Sequence, residues 1–206
     1  MELHRALAQV AEIQEHLSRT EVYRGYRSLP VAASGVIGLI AATLQPSELA
    51  HDAFGFVLYW TSIAAAAAIV GTSEIAYNYI VRDHALARHG TRRVVGQLLP
   101  SILGGAIITV CLVRLSPALV RLLPGIWAIC FGVGIFACRP FLVRASGWVA
   151  LYFYAAGVAL LWTAGSHETL NAWTVGGTFG FGQLLTAAVL YWNLETNFGL
   201  NANDTQ

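Results

Sequence analysis

From residue 28 onward the chain alternates between long apolar runs and short polar breaks. The apolar runs cover about residues 28–44, 54–80, 95–113, 119–138, 147–164 and 175–194. Each lies close to the ~20 residues that a helix needs to cross the hydrocarbon of a bilayer. Between them lie QPSELAHD, the arginine-rich 81–93, RLSPA, RPFLVRAS and TAGSHETLNAW, and ETNFGLNANDTQ ends the chain. This alternation predicts an all-α polytopic membrane protein, a six-transmembrane-helix bundle spanning residues 28–194 with a polar tail at 195–206.

Residues 1–27 read differently. Leu3, Ala6, Val10, Ile13 and Leu17 recur at three- and four-residue steps, which gives a helix one apolar stripe. Glu12 with His16, and Glu15 with Arg19, sit four apart on the exposed side and can pair. Four Arg balance four Glu, so the segment lacks the basic surplus of a helix lying on an anionic membrane. It predicts an N-terminal amphipathic cytoplasmic helix. Its stripe would pack on the protein's own body, on a second copy in a homodimer, or on a membrane-complex partner. The first 27 residues do not resemble a leader, so the first span is expected to direct insertion.

Helical phase within the runs picks out the packing sides. In the second run Ala64, Ala67, Gly71, Glu74 and Asn78 fall on one side of a helix, small at first and then polar. Glu74 is an acid inside a span, costly to bury and a functional candidate by position. With Tyr77, Asn78 and Arg82 it forms a candidate intramembrane polar site near the inner mouth. Gly35 and Gly38 in the first run, Gly104 in the third, and Gly176 and Gly180 in the sixth are further candidates for close helix packing.

Composition supports the membrane reading. Of 206 residues 56% are hydrophobic and 11% charged, with a mean hydropathy of +0.60; soluble domains carry about 25% charged residues. Arginine placement sets the orientation. With the amino terminus in the cytoplasm, ten arginines lie inside and only Arg114 and Arg121 outside, which is the positive-inside bias of short loops. Trp60, Trp127, Trp162 and Trp173 then fall toward the outer interface, and Trp148 and Trp192 toward the inner one. The expected location is the cytoplasmic (inner) membrane of a bacterium, multi-pass, with both termini cytoplasmic. Net charge is only +1, so nothing points to nucleic acid. Cys111, Cys130 and Cys138 lie in or beside apolar runs without metal-ligand spacing and read as packing residues.

Two constellations hint at chemistry. Thr178-Phe-Gly-Phe-Gly182 resembles the selectivity filter of potassium channels in residue order. Such a loop needs a full lining helix after it, and the twelve residues 183–194 would cover only about 18 Å. Residues 175–194 therefore read as one helix, with Gly176 and Gly180 as a packing pair. His51-Asp52 and His167-Glu168 occupy outer loops and could ligate zinc if those loops met, although their spacing does not enforce it. Ordinary loop polarity accounts for both pairs. No hydrolase, metalloprotease or phosphate-loop motif is present, and no cofactor is implied.

The expected function is therefore non-enzymatic: a scaffold, a sensor, or a regulatory or accessory subunit. The alternative is a small transporter or channel that uses Glu74. Apart from that residue, the spans offer a solute few polar groups, chiefly Thr109, Thr178, Gln183 and Thr186.

Overall fold

The computed structural model describes the backbone of residues 28–81, 85–165 and 170–196, and the side chains of 28–72, 92–165 and 170–193. The expected helix over residues 2–26, with Leu3, Val10, Ile13 and Leu17, lies outside the described residues, as does the tail from 197. What is described is all-helical, without strands.

Among the described residues six α-helices follow one another: α1 (Ser28–Leu44), α2 (Ala53–Val81), α3 (Ala85–Leu115), α4 (Leu123–Cys138), α5 (Ser146–Thr163) and α6 (Ala172–Leu190). Tight 3-10 turns at Ser47–Ala50, Pro117–Leu122 and Arg139–Phe141 make three of the connections, and a π-helical turn, Tyr191–Thr196, follows α6. Local chemistry explains where helices begin. The Asp52 carboxylate accepts the Phe54 amide at 3.1 Å, and Asn171 Oδ1 accepts the Trp173 amide at 2.9 Å. Each satisfies a helix N-terminal donor that would otherwise lack a partner. Pro124 occupies the first turn of α4, where its missing N–H costs nothing.

Among the described residues four segments are long and apolar enough to cross a membrane: Ala53–Thr72, Arg92–Leu115, Pro117–Phe141 and Ser146–Thr163. This is the make-up of a membrane protein. Helix α1 is apolar but has 17 residues. Helix α6 has the length but carries four glycines, three threonines and Gln183 in place of larger apolar side chains. Large apolar side chains face outward throughout, among them Ile69, Ile107 and Leu115, as lipid-facing positions do.

Neighbouring helices follow chain order, and α6 packs back on α1 to close a ring. The α1–α6 and α4–α5 joints are the most extensive, whereas α2 and α3 touch each other little. Only 11% of the apolar window is buried in each of α2 and α3, against 39% in Pro117–Phe141. These two are also the longest helices. Their 29 and 31 residues reach about 44 and 46 Å at 1.5 Å per residue, beyond a hydrocarbon core about 30 Å thick.

Glycine sets the two tight joints. A Cβ on Gly35 would stand 2.9 Å from the Gly180 carbonyl oxygen, and one on Gly176 would stand 2.6 Å from that of Gly38. Gly125 and Gly157 are likewise reciprocal, each with its missing Cβ 2.8 Å from the other's carbonyl oxygen. Backbones meet where any side chain would hold them apart. Between the joints Phe131, Phe153 and Phe179 fill the centre, with ring centroids 4.9 to 5.7 Å apart. Gly182 leaves room for the Phe153 ring against α6. At the end that carries the α1–α2 turn, Phe56, Trp60, Val120, Leu123 and Val175 form an apolar plug drawn from four helices or turns besides α1.

Three sequence expectations are corrected here. Ala64 is exposed; the packed side of α2 runs instead through Phe56, Trp60, Ile63, Ala67 and Gly71. Gly104 meets nothing within 4 Å, and it is Gly105 that faces a neighbour, Cys130 on α4. Trp60 is buried and Trp127 half-buried, so neither belongs to an interfacial belt. Both send their indole N–H inward, to Gln45 Oε1 and to Thr109 Oγ1, each at 2.8 Å. Trp148, Trp162, Trp173 and Trp192 are the exposed ones.

Candidate functional site

Glu74, Tyr77 and Asn78 occupy the last third of α2, and Arg82 lies outside the described residues. The packed stripe of α2 reaches Gly71, where a Cβ would sit 3.7 Å from Ser34 of α1. Steps of three and four carry the same side of the helix on to positions 74 and 78. The backbone thus continues the α1-facing side of α2 into the polar positions, at the end opposite the apolar plug.

Several polar groups of the apolar helices are bonded within the bundle. Thr109 is buried; its hydroxyl accepts the Trp127 indole N–H and donates to the Gly105 carbonyl at 2.7 Å. Thr186 donates to the Gly182 carbonyl at 2.7 Å, and the Thr178 carbonyl accepts the Tyr152 hydroxyl at 3.0 Å. Tyr59 donates to the Ala41 carbonyl at 2.7 Å and so ties α2 to α1. Buried polar groups in a span need such partners, since hydrocarbon supplies none.

Beside the plug the Leu170 amide donates to the Ala50 carbonyl at 2.9 Å, which brings the chain after α5 against the turn before α2. His51 and Asp52 stand next to that contact, whereas His167 and Glu168 lie outside the described residues. Asp52 is engaged as the α2 cap, which accounts for its carboxylate locally. Among the described residues no three of His, Cys, Asp and Glu come together.

The Thr178–Gly182 segment lies inside α6 and is helical, with Gly180 pressed against α1. A carbonyl-lined filter requires non-helical backbone there.

One feature had no sequence signal. At the end opposite the apolar plug a recess of about 520 Å³ is lined by Arg93, Gln97, Pro140 and Phe141. The arginine-rich linker was visible, but nothing in residue spacing joins positions 93 and 97 to the turn at 140. Their meeting is a product of α3 packing on α4, where Val94 is buried and its carbonyl lies 3.4 Å from Cys138 Sγ.

No family model, curated protein or solved structure matches the chain.

Proposed function

We propose that this chain is a six-span inner-membrane protein with both termini cytoplasmic, and that it works as a scaffold, sensor, or regulatory or accessory subunit rather than as an enzyme. The observation that carries this reading is the filled centre: Phe131, Phe153 and Phe179 occupy the axis, and glycine joints bring backbones into contact on either side. Such packing favours a rigid platform over a wet path for a solute. The satisfied hydroxyls of Thr109 and Thr186 support the same conclusion, because a solute would meet few groups left to bind it. Helices α1 and α6 count as the first and sixth spans in this proposal. A 17-residue helix covers about 26 Å, enough with modest local thinning, and glycine explains the low hydropathy of α6.

The test is Glu74→Gln, which keeps shape and removes charge. In a platform it alters stability through loss of a charge partner and leaves ion or solute flux into proteoliposomes at background. A flux carried by the wild type and abolished by Glu74→Gln, with the fold intact, would replace this reading with transport.

A further inference from the structure

We propose that the recess between α3 and the α4–α5 turn holds the headgroup of an anionic phospholipid. Its depth is right. The uninterrupted apolar run of α3 begins just after Arg93, and Phe141 closes another apolar window, so Arg93, Gln97, Pro140 and Phe141 sit where hydrocarbon gives way to headgroups. Its volume of about 520 Å³ lies within the ~300–1,000 Å³ range of small-molecule pockets.

The lining is chemically divided. Arg93 and Gln97 are one helical turn apart on α3 and leave it on the same side. The Arg93 guanidinium offers only donors, which suits a phosphodiester, and the Gln97 amide both donates and accepts, which suits a glycerol hydroxyl. Pro140 and Phe141 present apolar surface to the glycerol backbone. The walls are held together by the Val94–Cys138 joint, one residue behind Arg93 on α3 and two before Pro140.

Within the described side chains, charge at this end of the bundle has one sign. Arg92, Arg139 and Arg144 are exposed at the same end, and Arg139 lies over the Phe136 ring at 5.9 Å. Among residues whose side chains are described, the acids are Glu48 and Asp52, both at the opposite end. Clusters of this kind between spans attract anionic lipid.

A lipid, rather than free phosphate, is indicated by what continues from the recess along α3. Further steps of three and four lead from Gln97 to Pro100, exposed, and Gly104, whose missing side chain leaves open space. In this proposal an acyl chain follows that open side of α3 from headgroup depth into the hydrocarbon. The inference rests on the membrane reading above, which is tested independently by whether the chain stays in the membrane pellet at alkaline carbonate.

The experiment uses the full chain in a neutral detergent, stripped of lipid and titrated with phosphatidylglycerol or phosphatidylcholine of matched acyl chains, with bound lipid counted by native mass spectrometry. Phosphatidylglycerol should be retained preferentially, and Arg93→Gln should lower its affinity about fivefold, the worth of one arginine at a membrane surface. Arg93→Lys should fall between them, and Arg114→Gln, at the far end of α3, should change nothing. Gly104→Leu should weaken long-chain but not short-chain phosphatidylglycerol. Inorganic phosphate at the same concentration should not displace the lipid. Equal retention of the two lipids by the wild type would overturn the proposal without any variant. Equal losses from Arg93→Gln and Arg114→Gln would also overturn it, because they would indicate diffuse charge. Displacement by inorganic phosphate would show a free-anion site instead. A chain that stays in the pellet yet shows no preference sinks the lipid site alone; one released by carbonate sinks the membrane reading.

Discussion

Gly176→Ala adds one methyl group at the place where α6 lies closest to α1. That methyl would stand 2.6 Å from the Gly38 carbonyl oxygen, 2.6 Å from Ala42 Cβ and 2.7 Å from the Trp60 ring. Carbon contacts are most favourable at about 3.5–4.0 Å, so relief requires separation on the order of 1 Å. The first two obstacles move only if α1 moves. The third is held by the Trp60–Gln45 hydrogen bond and by burial in the apolar plug. A gap of 0.5–1 Å forfeits about a quarter to a half of the dispersion energy of the atoms it separates, and overpacking of this kind costs about 1–3 kcal/mol. Replacing glycine by alanine in a helix interior returns about 0.5–1 kcal/mol. Gly104→Ala makes the same backbone change with nothing within 4 Å to collide with. The two variants should therefore differ by the overpacking cost itself, about 1–3 kcal/mol, with Gly176→Ala the less stable. Unfolding of both proteins in mixed micelles, followed by tryptophan fluorescence, measures the difference. Equal stability, or a more stable Gly176→Ala, would refute the idea that α1 and α6 meet backbone to backbone.

Other consequences can be checked on the same preparations. Thr109→Val removes the acceptor of the half-buried Trp127 indole and should cost about 1–2 kcal/mol, whereas Thr109→Ser should be nearly silent in the same melt. Ser146 has a buried hydroxyl without a hydrogen-bond partner, so Ser146→Ala should leave the melting temperature unchanged or raise it; a clear drop would mean the hydroxyl has a partner. In a cysteine-free background, His51→Cys should react with an impermeant maleimide added outside cells and Arg144→Cys only after permeabilisation. The reverse pattern would invert the orientation.

The apolar periodicity marked the helices well because lipid and core both select large apolar side chains. It could not say which side faces which. Gly35, Gly38, Gly176 and Gly180 stood out by spacing, yet their reciprocal contact depends on α6 returning to α1 across the whole chain, which no local pattern encodes. Gly104 and Gly105 are adjacent and equally suited to close packing by residue type; only the rotation of α3 against α4 separates the one left open from the one facing Cys130. Trp60 and Trp127 carried the signature of interfacial residues because an indole ring suits both places. The polar partners that keep them inside, Gln45 and Thr109, lie 15 and 18 residues away. For α6 the legible signal and the structural role pull in opposite directions, since the glycines that bring it against α1 remove the hydropathy that marks a span. Glu74 was legible as an unusual residue, and the backbone extends the packed side of α2 to its position.

Closure of α6 on α1 has a consequence for biosynthesis. About 145 residues separate the end of α1 from the end of α6. At about 5–20 residues per second the ribosome needs roughly 7–30 s to make them. With α1 as the first span, as proposed, its glycine face waits through that interval without its partner, and only α2 can cover one flank. Lipid or an insertase must occupy the vacant side and then yield it when α6 arrives. Chains truncated before residue 172 would keep five of the six helices, each with its own hydrogen bonds intact, but with the ring open at α1.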